Sequence, residues 1–208
     1  MTRCILKPAM MNERIKDLLK KESEAIGNIP VTGTFDEAVR IIHKRVHAGG
    51  GKLICSGMGK AGQIAVNIAT TFSSTGTPSI FLHPSDAQHG DLGVIQEEDV
   101  LLAVSNSGKT REVLELVELA RRLHAGLPLI VITGNPNAEL AALADACLDT
   151  GSPAEVCPLG LTPTTSTTTM TVIGDVLVVL MMERIGFSRE EYAKRHHGGY
   201  LGTRSREG

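Results

Sequence analysis

Between Lys52 and Asp149, short apolar runs alternate with segments of helical spacing, and this alternation constrains the fold more than any other feature. The runs are Lys52–Cys55, Pro78–Leu82, Val100–Val104, Leu129–Ile132 and Ala146–Leu148. They are short and bounded by glycine, proline and hydroxyl residues, as buried strands are. Strands separated by helices return in the same direction. The pattern therefore predicts a parallel sheet with right-handed crossovers and helices on both faces. The expected class is α/β, doubly wound, mainly a five-stranded parallel sheet. Such sheets bind ligands beyond the carboxyl ends of their strands.

Outside this alternation, Met11, Ile15, Leu18, Leu19 and Ile26 recur near helical period, giving an N-terminal helix at about residues 10–27. Thr34 with Glu37 reads as a capping box opening a helix to about Ala48. Asn137 is placed to cap a short helix reaching Leu143. The threonine-rich stretch Thr164–Thr171 runs into the apolar helix Val172–Ile185, so its hydroxyls are expected at an ordered helix start. Ser188 with Glu191 repeats the capping box. A tail at about 202–208 is expected to fray. The 208 residues suit a single domain over 1–208.

Charge excludes some classes. With 21 basic and 23 acidic residues the chain has no basic excess for nucleic acid or an anionic membrane. Two Tyr, four Phe and no Trp leave few platforms for base stacking. Cys4, Cys55, Cys147 and Cys157 form no C-x-x-C pair and read as reduced thiols of a cytoplasmic protein. The start M-T-R-C-I-L-K-P lacks the apolar core of a signal peptide. The longest apolar run, Val176–Met182, is too short to span a bilayer.

Two turns at strand ends carry chemistry. The first is S-N-S-G-K-T-R-E, Ser105 to Glu112, between the third apolar run and a helical segment to Leu123. Amides at a helix start favour an anion. Ser105, Ser107 and Thr110 add hydroxyls, and Gly108 permits close backbone approach. Glu112 has two readings: a carboxylate complementing the helix start, or a general base beside a phosphorylated substrate. The second turn, Gly57-Met58-Gly59-Lys60-Ala61-Gly62, matches the dinucleotide pattern G-x-G-x-x-G. That pattern needs an acid at the end of the second strand. His83 and Pro84 stand there, with Asp86 the nearest acid, and Lys60 puts a cation inside the turn. A small phosphorylated ligand across the two turns is the more economical reading.

His83, His89 and Asp91 share a loop whose H-G-D-L-G run implies a tight turn presenting His89, and His196 and His197 are adjacent near the C-terminus. None of these matches a metalloprotease or paired-cysteine spacing, so no metal is required.

Several motifs together resemble the sugar isomerase (SIS) domain of D-arabinose 5-phosphate isomerases. They are G-M-G-K at 57–60, S-T-G-T-P at 74–78, H-P-S-D-A-Q-H-G-D-L-G at 83–93 and S-N-S-G-K-T-R-E at 105–112, followed by P-T-T-S-T-T at 163–168 and G-F-S-R-E-E-Y-A-K-R-H at 186–196. The resemblance runs from about residue 10 to 202. It implies interconversion of D-ribulose 5-phosphate and D-arabinose 5-phosphate, supplying Kdo for lipopolysaccharide or capsule. It implies Lys60, His89, Glu112 and His196 as functional positions. The substrate and phosphate cradle would be Ser105, Ser107, Gly108 and Thr110, with Ser56, Gly57, Gly59 and Thr167. Glu112 or His196 would be the carbon base, His89 the oxygen acid/base, and Lys60 an electrostatic stabiliser or phosphate clamp. The resemblance implies a homotetramer in which His89 and His196 serve a neighbour's site. No cofactor is implied. An inhibitory metal could be captured by His83, His89 and His196.

Two departures stand out. Family members commonly carry a pair of CBS regulatory domains, for which 208 residues leave no room. Feedback would then act at the SIS domain itself, with CMP-Kdo in the cleft as its ligand. Also, His197 stands where the family carries a proline. The rival readings are a non-catalytic sugar-phosphate sensor and an isomerase of a different phosphosugar.

Overall fold

The computed structural model describes residues 8–198 together with Tyr200 and Arg204. The expected tail at 202–208 and Cys4 lie outside these residues, Arg204 excepted. In chain order the elements are α1 (Pro8–Gly27), α2 (Thr34–Ile42), β1 (Leu53–Gly57), α3 (Gly59–Ser74), β2 (Ser79–Phe81), α4 (Pro84–Ala87), β3 (Val100–Val104), α5 (Arg111–Leu123), β4 (Leu129–Thr133), α6 (Glu139–Ala142), β5 (Ala146–Asp149), α7 (Thr165–Ile185) and α8 (Arg189–Arg195). A π-helical turn, His43–Ala48, continues α2, and a 3-10 turn, Asp91–Val94, follows α4. The segment 83–93, expected as a plain loop, thus carries two short helical turns.

The five strands pair in the order β2-β1-β3-β4-β5, parallel throughout, which is the doubly wound sheet expected. Every residue of β1, β3 and β4 is buried, because helices cover both faces. Alternate residues serve opposite layers. Leu53, Cys55, Leu102, Val104 and Ile132 meet the side chains of α2, α3 and α7, including Ile42, Phe72 and Ile173. Ile54, Leu101, Ala103 and Val131 meet the other layer, including Leu116, Ala120 and Leu140.

The 21-residue helix α7, with a mean hydropathy of 1.5 over an 18-residue window, is long and apolar enough by length and composition to cross a membrane. The short run Val176–Met182 understated it, because the threonines before it also join the helix. Half of that window is buried inside the protein. Met170, Ile173, Leu177 and Met181 lie in the core, and Gly174 lets α7 approach α3 so closely that a Cβ there would lie 2.5 Å from Ile68 Cγ1. Here α7 is the central core helix.

Two expected caps do not form. Helix α2 begins at Thr34 itself, with Gly33 at the cap position. The Thr34 hydroxyl pairs with Thr32 Oγ1 at 2.7 Å, and the Glu37 carboxylate takes Arg40 Nε at 2.7 Å. Helix α6 begins at Glu139 after Ala138, so Asn137 sits one residue too early, and its N–H donates to Asn135 Oδ1 at 3.3 Å. The Ser188 cap forms by half. Its Oγ accepts the Glu191 N–H at 3.2 Å, but the Glu191 carboxylate turns to Arg195 at 2.8 Å.

Candidate active site

Strands β1 and β3 are neighbours, yet the chain leaves β1 towards α3 on one face and β3 towards α5 on the other. The two exits diverge and open a crevice at the switch point of the sheet. Both turns singled out in the sequence lie there. Gly62 packs so tightly that a Cβ would lie 2.6 Å from Gly57 O, and Gly59 has φ +57°. These contacts account for the glycine pattern by helix-on-strand packing.

A cleft of about 290 Å³ fills the crevice. Lys60, Ser105, Asn106, Ser107 and Thr110 line it from the two turns, with Met58 and Ala61 beside them. Pro163, Ser166, Thr167 and Met170 line it from the start of α7. Gly108, with φ +63°, lets its N–H donate back to Ser105 O at 3.2 Å and closes the turn. Ser105 Oγ and Thr110 Oγ1 are 2.9 Å apart. One donates to the other, so the pair keeps one proton for a ligand. Ser107 Oγ accepts the Lys109 N–H at 3.2 Å and keeps its own proton. Lys60 Nζ donates to Gln63 Oε1 at 3.3 Å. This side of the cleft is a set of donors and one ammonium, suited to an anion.

The α7 side is organised differently. Glu155, from the connection after β5, lays its carboxylate on the helix start. Its Oε2 accepts from Thr164 N at 2.7 Å, Thr164 Oγ1 at 2.8 Å and Ser166 N at 3.3 Å, and its Oε1 accepts the Ser166 hydroxyl. Burial alone would raise this carboxyl; the hydrogen bonds from Ser166 and Thr164 outweigh it and hold the group below its ordinary range. Thr167 Oγ1 donates to Thr164 O at 2.7 Å. Thr167 therefore lines the cleft as an acceptor, not as the phosphate donor expected. Ser56 is a second correction. It is fully buried and donates to Leu82 O at 2.7 Å, tying β1 to the end of β2 outside the cleft lining.

The other expected residues are not brought into the cleft of one chain. Glu112 is half-buried in the first turn of α5. His89 is exposed just beyond α4. His196 follows α8, stacked on Tyr192 with ring centroids 3.7 Å apart, its Nδ1 3.0 Å from Tyr192 O. His83 Nδ1 accepts the Ser85 N–H at 3.3 Å. Among the described residues, no three His, Cys, Asp or Glu side chains group as metal ligands. His83 and His89 flank α4 while His196 follows α8, and the three do not group within one chain. Residues the motifs did not single out are Asn106, Ser166, Met170 and, behind Ser166, Glu155. The threonine-rich stretch signalled Ser166; nothing local signals Glu155, which acts from nine residues before Thr164.

A larger hollow of about 550 Å³ lies between α1 and residues 150–158. Its cations, Arg14 and Lys21, both pair with Asp17, at 2.5 and 3.1 Å, and it does not include the turns after β1 and β3. The smaller cleft is the better site on chemical grounds.

Comparison with known proteins agrees with this geometry. The SIS domain matches residues 49–180. The arabinose 5-phosphate isomerase KdsD of Pseudomonas aeruginosa is 49% identical over 157 residues, covering 76% of this chain and 48% of that protein. The KdsD of Yersinia pestis is 42% identical over 191 residues, covering 91% and 56%. The chain spans about half the length of these curated relatives. A Bacteroides fragilis structure, described as a candidate phosphosugar isomerase involved in capsule formation, superposes with TM-score 0.90 at 65% identity, covering 91% of this chain and 99% of that one. E. coli CFT073 c3406, solved in complex with arabinose 5-phosphate, superposes with TM-score 0.85 at 31% identity, covering 92% and 100%. The fold, the strand-end turns and these matches agree: the chain belongs to the SIS-domain family.

Proposed function

We propose that this protein is an aldose–ketose isomerase interconverting D-ribulose 5-phosphate and D-arabinose 5-phosphate. The observation that carries the reading is the cleft at the switch point, where Lys60 and the hydroxyls of Ser105, Ser107 and Thr110 converge. The KdsD relatives and the sugar-phosphate complex of c3406 support the choice of sugar.

The chemistry runs through an enediol. A base removes the C2 proton of the aldose, a proton passes from O2 to O1, and the base returns its proton to C1. Lys60 stabilises the negative charge that develops on oxygen, or clamps the phosphate. Ser105, Ser107 and Thr110, with the backbone at Gly57, Gly59 and Gly108, cradle the phosphate. Glu112 or His196 is the carbon base and His89 the oxygen acid/base. No metal or cofactor enters these steps.

His89 and His196 lie outside the cleft of one chain, and the reading includes a homotetramer in which these two histidines serve a neighbour's site. Exposed apolar residues on α1, Met11, Ile15 and Leu19, support such packing. We read the chain as one SIS unit working in the cytoplasm. Its product feeds Kdo for lipopolysaccharide or capsule, and CMP-Kdo in the cleft is a feedback ligand. The description of the B. fragilis relative as involved in capsule formation supports the capsule alternative.

The test is NMR of the EDTA-treated protein with D-ribulose 5-phosphate in D₂O. Arabinose 5-phosphate carrying deuterium at C2 is the expected product. Binding without turnover would favour a sugar-phosphate sensor. Turnover of another phosphosugar instead would move the substrate but keep the chemistry.

A further inference from the structure

The chain leaves α7 in a fixed direction. Gly186, with φ +61°, turns it; the Gly186 N–H donates to Glu183 O at 3.2 Å and the Phe187 N–H to Met182 O at 2.9 Å. Phe187 then lies against Gly76, just past α3, where a Cβ would come within 2.8 Å of its ring. Ser188 caps α8 directly afterwards. The Phe187 ring meets Tyr192 edge-on, with centroids 6.5 Å apart and planes at 72°. Tyr192 in turn carries His196, face to face at 3.7 Å and 9°. A run of packed rings thus leads from the end of α3 to the imidazole.

The second hold on His196 is the Tyr192 carbonyl. It accepts the His196 N–H at 3.1 Å and lies 3.0 Å from Nδ1. A carbonyl oxygen has two lone pairs and no proton to give, so Nδ1 is the donor. In the neutral ring Nε2 is then the bare nitrogen. The Tyr192 ring fixes the plane of the imidazole, and the Tyr192 carbonyl fixes where its proton sits.

We propose that Tyr192 is a positioning residue for the reaction: it holds His196 with Nδ1 protonated, so that the nitrogen presented to the reacting atoms is the Nε2 lone pair. This rests on the isomerase reading given above, in which His196 acts at a neighbour's site. A neutral histidine with its proton on Nε2 would offer that site a donor and could not take a proton there. The work is done by the ring and backbone of Tyr192, not by its hydroxyl.

Nitrogen-15 NMR of the histidine-labelled protein without ligand, and steady-state kinetics with D-arabinose 5-phosphate, test this in the parent, Tyr192→Leu and Tyr192→Phe. Signals lost in His196→Asn assign the ring. The parent is expected to show neutral His196 with its proton on Nδ1. Tyr192→Leu keeps the carbonyl and removes the stack. Its His196 proton is expected to redistribute to Nε2. Its kcat should fall roughly two- to tenfold, the population lost with one aromatic pair. KM should stay within about twofold, because the phosphate cradle is untouched. Tyr192→Phe is expected to restore both the tautomer and kcat. A Tyr192→Leu variant that changes only the melting temperature overturns the inference. So does a parent with the proton on Nε2, or a Tyr192→Phe variant as impaired as Tyr192→Leu. If Tyr192→Leu does not fold, Tyr192→Met decides by the same two readouts. A parent without turnover removes the isomerase reading; the NMR arm then still decides whether Tyr192 sets the His196 tautomer.

Discussion

Gly57 and Val104 are paired on the last rung of the β1–β3 ladder, and a Cβ on Gly57 would lie 2.8 Å from the Val104 carbonyl oxygen. The same Cβ would lie 3.1 Å from the Ala61 carbonyl. Both neighbours are backbone at the mouth of the cleft and cannot turn aside. Gly57→Ala should therefore destabilise the fold by about 1–3 kcal/mol, the usual cost of overpacking. Urea unfolding checks this, and an unchanged midpoint would contradict the geometry.

Lys60 lines the cleft, and among the described residues its one tie is a weak hydrogen bond to Gln63 at 3.3 Å. Its loss should cost function and spare the fold. Lys60→Met is expected to lower kcat/KM for D-ribulose 5-phosphate by about 10²–10³-fold, the scale of losing a preorganised electrostatic group. The melting temperature should stay within a degree or two, about the effect of an ordinary surface change.

Glu112 separates two explanations by magnitude. As a charge in the first turn of α5 it is worth about 0.3–1 kcal/mol of stability. As the general base it is worth about 10²–10⁴-fold in kcat. Glu112→Gln should show the second loss on top of the first. A parental kcat with a slightly lower melting temperature would leave only the helix-start role.

Glu155 has a pH signature. Hydrogen bonds in the folded state hold its carboxyl below the ordinary value of 4.5, so the unfolded chain takes up the proton first as pH falls. Its stabilisation is complete above that value and is lost as pH drops through the lower folded-state value. The stability gap between the parent and Glu155→Gln should hold from neutral pH down to about 5 and close below 4.5. Denaturant titrations across that range measure it. A gap independent of pH would show that the charge is not what matters.

The thiols should react in a set order. Burial pushes Cys55 up to about 12, so it stays protonated and sealed. Cys157 is held below its ordinary range: partial burial opposes this, but the N–H groups of Thr162 and Leu161, at 3.1 and 3.3 Å from Sγ, outweigh it. Iodoacetamide at neutral pH should label Cys157 in the native protein and Cys55 only after denaturation, as read by peptide mass spectrometry.

The sequence by itself determined the sheet, and with it where a candidate site would lie. The β1, β3 and β4 runs are apolar because helices cover both faces, and that pattern is visible without coordinates. The turn from Ser105 to Thr110 was legible because its hydroxyls, its glycine and its helix start are contiguous. Tertiary structure alone decided the rest. It turned the Ser56 hydroxyl onto Leu82 O, committed the Thr167 proton to Thr164 O, and brought Glu155 onto α7. It also left His89, Glu112 and His196 outside the cleft of one chain. The reason is range. Hydrophobic periods of two and 3.6 residues are set by neighbours in the chain, so they can be read from it. The partner of a hydroxyl or carboxylate is set by which distant segment packs against it, and that is decided when the sheet and its helices close.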